Sequence, residues 1–213
     1  MTQEDIIIYG TLSVISIITG IIIWWGVRVT KEQEQEGINL KVEQVIKHYG
    51  TRISSKEFLW GIWVGRFSVK QMELFIKNQK GDDVAKITFH SIPQGDATRT
   101  IEIGSQKYDC INNGAVSNRS SLKDCNDGKV LMTCEHKTLN QVFYEGQSDK
   151  IKFTKYGTSV LKDFQTIKIG EREVGQLISM LEFKCDALLL TLPVRDITLP
   201  EKLFILACIP RGR

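Results

Sequence analysis

The residues that could carry out chemistry are few in this chain, and they do not fall into the spacings that a catalytic or metal site requires. The sequence contains no Gly-rich phosphate loop followed by Lys-Ser or Lys-Thr, no Gly-x-Ser-x-Gly turn and no His-Glu-x-x-His helix. Its three histidines, His48, His90 and His136, form no spaced pair. Because neither a nucleophile with its base nor a set of metal ligands can be assembled, we predict a protein that is not an enzyme and needs no metal or cofactor.

The five cysteines show neither a Cys-x-x-Cys pair nor a metal-ligand spacing with a histidine; they are Cys110, Cys125, Cys134, Cys185 and Cys208. We expect most of them to be buried, reduced thiols that pack as small apolar side chains. Cys125 and Cys134 flank Asn126-Asp127-Gly128, a strong hairpin signal, so a disulfide across that hairpin is the alternative.

Basic side chains give the one positive indication of a binding surface. Lys150, Lys152 and Lys155 lie close together in the sequence, and alternation would place Lys150 and Lys152 on one face of a strand. That face could meet anionic lipid headgroups, where each charge contributes about 1 kcal/mol. An ordinary solvated sheet face is the alternative. The net charge of +3 is too small to indicate a nucleic-acid partner.

An apolar segment near the N-terminus predicts the element that would bring such a surface to a membrane. Ile6–Val27 contains no charged residue, and as a helix it would be about 33 Å long, which matches a hydrocarbon core of about 30 Å. Glu4 and Asp5 precede the segment, whereas a cleaved signal peptide would begin with a basic leader. We therefore predict an uncleaved, single-pass transmembrane anchor.

Residues at the two ends of the segment predict its depth and direction. Aromatic rings favour the membrane interface, so Tyr9, Trp24 and Trp25 are predicted to lie there together with Arg28. The basic residues near the span, Arg28 and Lys31, follow it, which favours a soluble domain on the cytoplasmic side. The glycosylation tripeptide at 118–120 argues for the opposite orientation.

Two further features predict contacts with another protein. Ser16 and Gly20 form a small-xxx-small pair on which a second membrane helix could pack. The apolar stretch Phe58–Val64 contains Trp60 and Trp63, and it is either a buried strand or an interfacial segment that contacts a partner.

Helical periodicity continues for a short distance beyond the span. The polar stretch Lys31–Gly37 is predicted to be a connector, followed by a short amphipathic helix over Ile38–Tyr49 that ends at Gly50. A second helical pattern runs from Val69 to Ile76.

Beyond Gly81, short runs of β-branched and aromatic residues alternate with Gly, Asn and Asp, which predicts antiparallel strands in a barrel or sandwich. The expected strands are Val84–His90, Thr100–Ile103, Val130–Glu135, Val142–Tyr144, Ile151–Phe153, Thr166–Ile169, Gln176–Met180 and Ala187–Leu192. Lys202–Ile209 follows Pro200 and is expected to be a buried apolar helix or strand. The predicted organisation is an anchor over 1–30, a connector and amphipathic helix over 31–56, and a mainly β domain over 57–213.

Three C-terminal segments occur in an order found in a known family: Ile169–Met180 (IGEREVGQLISM), Cys185–Pro193 (CDALLLTLP) and Leu199–Ile209 (LPEKLFILACI). In this order they resemble the tubby-like C-terminal superfamily, which includes phospholipid scramblases and LURP-one-related proteins. The resemblance implies a closed β-barrel around a hydrophobic C-terminal helix, and action at membranes through contact with phosphoinositides or other lipids. It extends only from Ile169 onward, and the N-terminal position of the anchor departs from the family.

Together these patterns predict a non-enzymatic, membrane-anchored β module that binds lipid headgroups or a protein partner at the membrane surface. The alternative is an accessory or assembly subunit of a larger membrane protein complex, packed against integral membrane partners through Ser16 and Gly20 and through the Trp60 and Trp63 segment.

Overall fold

The computed structural model contains three helices and twelve strands among the residues that it describes. Those residues are 3–50, 57–64, 71–90, 97–112, 119–138, 141–146, 154–157, 164–169, 172–179, 187–193 and 197–208. The helices are α1 (Gln3–Ile38), α2 (Val42–Tyr49) and α3 (Leu199–Ala207). The strands are β1 (Leu59–Val64), β2 (Gln71–Asn78), β3 (Asp83–His90), β4 (Ala97–Ile103), β5 (Gln106–Asn112), β6 (Arg119–Asp124), β7 (Val130–Thr138), β8 (Gln141–Gly146), β9 (Thr154–Gly157), β10 (Phe164–Ile169), β11 (Arg172–Ser179) and β12 (Ala187–Thr191).

Helix α1 is longer than the apolar segment that begins it. It continues without a break through Lys31–Gly37, so the prediction of a polar connector there is wrong. The ion pair between Arg28 and Glu32, with 3.0 Å between its nitrogen and oxygen, has the i,i+4 spacing that supports a helix. Hydroxyl side chains inside the apolar segment bond their own helix: Ser13 donates to the carbonyl of Tyr9 at 2.8 Å.

Helix α2 follows after three residues and confirms the predicted amphipathic helix, although it begins only at Val42. The side-chain oxygen of Gln44 accepts a hydrogen bond from the backbone N–H of Lys41 at 2.9 Å, which satisfies one amide at the helix start. Val45 and Tyr49 are buried one turn apart, whereas Ile46 is exposed.

The strands form one antiparallel sheet in chain order, and the prediction of a mainly β, antiparallel fold is confirmed. Each strand pairs with the next, and β1 pairs with β12 as well as with β2, with Leu59 opposite Leu190 and Ile62 opposite Ala187. These pairings join the first and last strands into a closed barrel.

The helix predicted across Val69–Ile76 is wrong where the structure describes it, because Gln71–Asn78 is strand β2. Its buried residues Met72, Leu74 and Ile76 recur at every second position, which is the strand period. Strands β5 and β6 were not predicted, and the predicted strand Ile151–Phe153 lies outside the described residues.

Helix α3 lies inside the barrel. Six consecutive residues from Leu203 to Cys208 are buried, which covers more than one turn, so every side of the helix is enclosed. It packs with inward side chains from the surrounding strands, among them Ile87, Ile101, Leu122 and Tyr144. The Tyr144 and Phe204 rings meet edge to face, with 6.2 Å between their centroids.

A second, smaller core lies on the outer face of the sheet. It contains Leu40, Val45 and Tyr49 from the helical side, packed with Phe58, Trp60, Ile62, Ile178 and Leu189 from the sheet side. Because side chains alternate between the two faces of a strand, Trp60 and Ile62 point outward to this core while Trp63 belongs to the inner one. The second core holds α2, and Leu40 just before it, against β1, β11 and β12.

Candidate functional site

The apolar part of α1 carries the largest exposed hydrophobic surface among the described residues. Its side chains at Tyr9 and from Thr11 to Trp25 are exposed around the whole helix, including Leu12, Ile15, Ile18 and Ile22. α1 is long and apolar enough to cross a membrane, and none of the residues in that apolar stretch is buried by the rest of the chain. A water-soluble surface rarely leaves so large an apolar patch uncovered.

The predicted interface residues sit at the ends of this surface. Tyr9 lies near one end, and Trp24 and Trp25 lie near the other, each with about three fifths of its surface exposed. The Arg28 guanidinium lies 5.7 Å from the centre of the Trp24 ring, a cation–π distance, and also pairs with Glu32. This arrangement brings a positive charge and two amphipathic rings together where the apolar segment ends.

The small residues Ser16 and Gly20 lie on the same exposed helix. The Ser16 hydroxyl donates to the carbonyl of Leu12 at 2.9 Å, so its polar group is satisfied within the helix. Apart from the adjacent residues and backbone of its own helix, no atom lies within 4 Å of a Cβ placed on Gly20, which leaves room for a neighbouring helix.

Beyond the apolar segment, α1 turns from an exposed helix into one that is docked on the sheet. Thr30 and Gly37 are buried, and they lie seven residues apart on one side of the helix. β1 is the strand against which α1 packs. The seven-residue spacing of Thr30 and Gly37 is visible in the sequence. It indicates a buried side of a helix only if Lys31–Gly37 is helical, which the sequence analysis did not predict.

The tryptophans of β1 are core residues. Trp60 is 1% exposed and Trp63 is 8% exposed. The Trp60 indole N–H donates to the carbonyl of Asn78 at 2.9 Å, and the Trp63 ring packs on Phe89 with 4.8 Å between centroids. Phe58–Val64 is therefore a buried strand rather than an interfacial segment, and its indole rings present almost no surface to a partner or to lipid.

The three predicted headgroup lysines divide between described and undescribed residues. Lys150 and Lys152 lie outside the described residues. Lys155 lies in β9, where its backbone is opposite Phe143 and Lys168.

An open groove of about 670 Å³ lies between α1 and α2. Five of its six lining residues are polar, and two of them are glutamates: Glu32, Gln35, Glu36, Asn39, Leu40 and Gln44. Carboxylates repel phosphate groups, so this groove does not suit an anionic headgroup.

One polar row across β3, β4 and β5 combines residue types that catalysis uses. The Thr100 hydroxyl lies 3.3 Å from Nε2 of His90 and donates to Oδ1 of Asp109, also at 3.3 Å. A nucleophilic hydroxyl must donate its proton to its base, and here the Thr100 hydroxyl donates to the Asp109 carboxylate and not to the imidazole. The row is a set of hydrogen bonds on the sheet surface and not a nucleophile–base pair.

The cysteines in the described part of the chain form no disulfide, which excludes the alternative of a Cys125–Cys134 bridge. Cys110, Cys134 and Cys208 are buried, as predicted, whereas Cys125 is exposed and Cys185 is not described. Burial raises the pKa of Cys110 to about 12 and that of Cys208 well above its ordinary value. Thiols held protonated in this way react slowly, because the thiolate is the nucleophile.

No group of three or more His, Cys, Asp or Glu side chains within the described ranges could hold a metal ion. A search of family models, of curated proteins and of solved structures finds no match to this chain.

Proposed function

We propose that the chain is a non-enzymatic β module that α1 anchors in a membrane by a single crossing and that acts at the membrane surface through contact with lipid headgroups. The observation that carries the proposal is the form of α1. One continuous helix has a fully exposed apolar part followed by a part docked on the sheet through Thr30 and Gly37. A bilayer would cover the apolar part, and the second part packs against β1.

The interior of the barrel supports the same proposal. A buried helix near the C-terminus, surrounded by antiparallel strands, is the arrangement that the resemblance to the tubby-like superfamily implies. That resemblance also implies lipid contact. The charge of the chain beyond the apolar segment supports lipid contact as well. With Glu4 and Asp5 on the other side of that segment, it holds 28 basic and 23 acidic residues, a small positive surplus.

A second candidate function is that of an accessory subunit in a larger membrane complex. The unobstructed surface at Gly20, beside the internally bonded Ser16, is the observation that favours it. The burial of Trp60 and Trp63 removes the other surface on which that reading depended.

Native electrophoresis of the full-length protein, gently solubilised from its membrane, tests the proposal against this alternative. The autonomous module predicts a species near 24.2 kDa plus its detergent, and Gly20→Leu would migrate in the same way. A large particle that is lost in Gly20→Leu but kept in Ile21→Leu would contradict the autonomous module and establish the subunit reading.

A further inference from the structure

The closed barrel has two rims, here called edges, at which its strands begin and end. We call the edge that contains Val64 at the end of β1, His90 at the end of β3 and Arg119 at the start of β6 the proximal edge. The distal edge contains the β2–β3 turn and Asp124 at the end of β6. A six-residue strand separates the two edges by about 17 to 20 Å.

The C-terminal end of α1 lies at the distal edge. Val42, the first residue of α2, lies 3.9 Å from a Cβ placed on Gly81, which belongs to the β2–β3 turn. Only three residues separate α1 from α2. Ile38, the last residue of α1, is therefore held near that turn.

From the distal edge, α1 runs back along the sheet toward the proximal edge. Thr30 lies about 12 Å along the helix from Ile38 and is still buried. The strand that α1 packs along is β1, which is about 17 Å long. A helix that left the distal edge away from the sheet would expose Thr30, so the apolar part of α1 emerges beyond the proximal edge.

This geometry sets the height of the two edges above the bilayer. Val27, the end of the apolar segment, precedes the buried Thr30 by three residues, or about 4.5 Å of helix. We infer that the proximal edge of the sheet faces the bilayer that α1 crosses and contacts its lipid headgroups, with the distal edge turned away from it. This inference rests on the proposed membrane anchor and adds to it a defined contact surface.

The orientation of the barrel also bears on Lys150 and Lys152, two of the predicted headgroup lysines. β8 ends at Gly146 and β9 begins at Thr154, and these two strand ends lie at the distal edge because Gln141 and Gly157 pair at the other end of the same hairpin. Gly146 and Thr154, the described residues that flank Lys150 and Lys152 in the sequence, therefore lie on the side away from the bilayer. Neutralising both lysines is expected to leave the contact at the proximal edge unchanged.

Lipid quenching of a fluorescent thiol label in the full-length protein tests the orientation. Two matched pairs of sites compare the edges: His90→Cys with Lys80→Cys near β1, and Arg119→Cys with the native Cys125 at opposite ends of β6. All four positions are solvent-exposed. Every protein carries Cys185→Ser, and every variant with an introduced cysteine also carries Cys125→Ser. The buried thiols of Cys110, Cys134 and Cys208 stay unlabelled.

The labelled proteins are reconstituted in phosphatidylcholine–phosphatidylserine vesicles that contain a spin-labelled headgroup lipid. We expect severalfold stronger quenching at the proximal member of each pair. Equal quenching within the pairs, or stronger quenching at the distal members, would overturn the inference.

A label within the span separates this inference from the anchor itself. Ile18→Cys is measured with a lipid that carries its spin label midway along the acyl chain, and strong quenching there shows that α1 is inserted. Quenching at position 18 without the proximal preference would overturn the orientation and leave the anchor standing. No quenching at position 18 would overturn both.

Discussion

Arg99 makes a polar contact with the buried C-terminal end of α3. It lies on β4, and its guanidinium donates to the carbonyl of Ala207 at the end of α3. It also lies over the Phe89 ring, with 5.4 Å to the ring centre. The last carbonyls of a helix have no partner within the helix, and a cation there also favours the helix dipole. Arg99 therefore closes the C-terminal end of a helix that has no access to water.

Removal of this side chain should destabilise the fold. Arg99→Ala leaves the Ala207 carbonyl buried without its partner, and we expect a loss of roughly 1–3 kcal/mol in the free energy of unfolding. Urea unfolding of the full-length protein in detergent, followed by near-UV circular dichroism, measures it. Arg119→Ala is the matched control, because its ion pair with Glu135 is exposed and long at 3.5 Å and should contribute less than about 1 kcal/mol. Equal effects of the two substitutions would contradict this role for Arg99.

Individual residues differ in how far the sequence determines them. Trp24 and Trp25 could be placed at the end of an apolar surface because the end of the uncharged run fixes their position. The location of Trp60 could not be predicted, since an apolar strand packs equally well on a protein core or on lipid until its neighbours are known. The contact of Arg99 with α3 joins residues more than one hundred positions apart, and no local pattern signals it.

At the scale of the elements, a row of alternating charges links four neighbouring strands. Lys86 on β3 contacts Glu73 on β2 at 3.4 Å and Glu102 on β4 at 3.0 Å, and Lys107 on β5 contacts Glu102 at 3.0 Å. Opposite charges on adjacent strands stabilise the pairing. The hydrogen bond from Lys107, and then the one from Lys86, hold the pKa of the Glu102 carboxyl below its ordinary value.

This shift gives the fold a dependence on acid pH. A carboxyl whose pKa is lowered by folding stabilises the folded state above its unfolded pKa of about 4.3, and the stabilisation is lost as the pH falls through the lowered value. Glu102→Gln should cost roughly 1 kcal/mol at pH 7 and should show a smaller further loss from about pH 5 downward than the parent protein. Unfolding free energies measured across that range check it, with the exposed Glu145→Gln as control. An unchanged pH slope in Glu102→Gln would show that the row does not act as described.

The elements that the sequence did not reveal share a physical cause. β5 and β6 contain charged and hydroxyl residues at most positions that face outward, so their apolar content falls below that of a recognisable strand. β2 was assigned the wrong period because Met72, Leu74, Phe75 and Ile76 fit a helical face as well as a strand. In contrast, β3 and β12 have clear alternation or a continuous apolar run, and both were predicted within one residue.

At the scale of the whole molecule, α1 and the sheet are one structural unit. The sequence predicts both parts but separates them by a polar connector, because a stretch of Glu, Gln and Lys suits an exposed helix and a loop alike. The structure joins the two parts directly. α1 continues without a break to Ile38, and the second core around Tyr49 packs the next helix on the sheet. The proposed function depends on this coupling, because a module held rigidly presents a fixed surface to the bilayer.

The central claim is that α1 crosses a membrane, and alkaline carbonate extraction of membranes that contain the full-length protein tests it most directly. We predict that the protein stays in the membrane pellet, as does Ile18→Leu. Ile18→Lys, which places a charge at the middle of the span at a cost of about 2.5–3.5 kcal/mol, should shift part of the protein to the supernatant. Complete release of the unsubstituted protein by carbonate would contradict the membrane anchor and the function proposed from it.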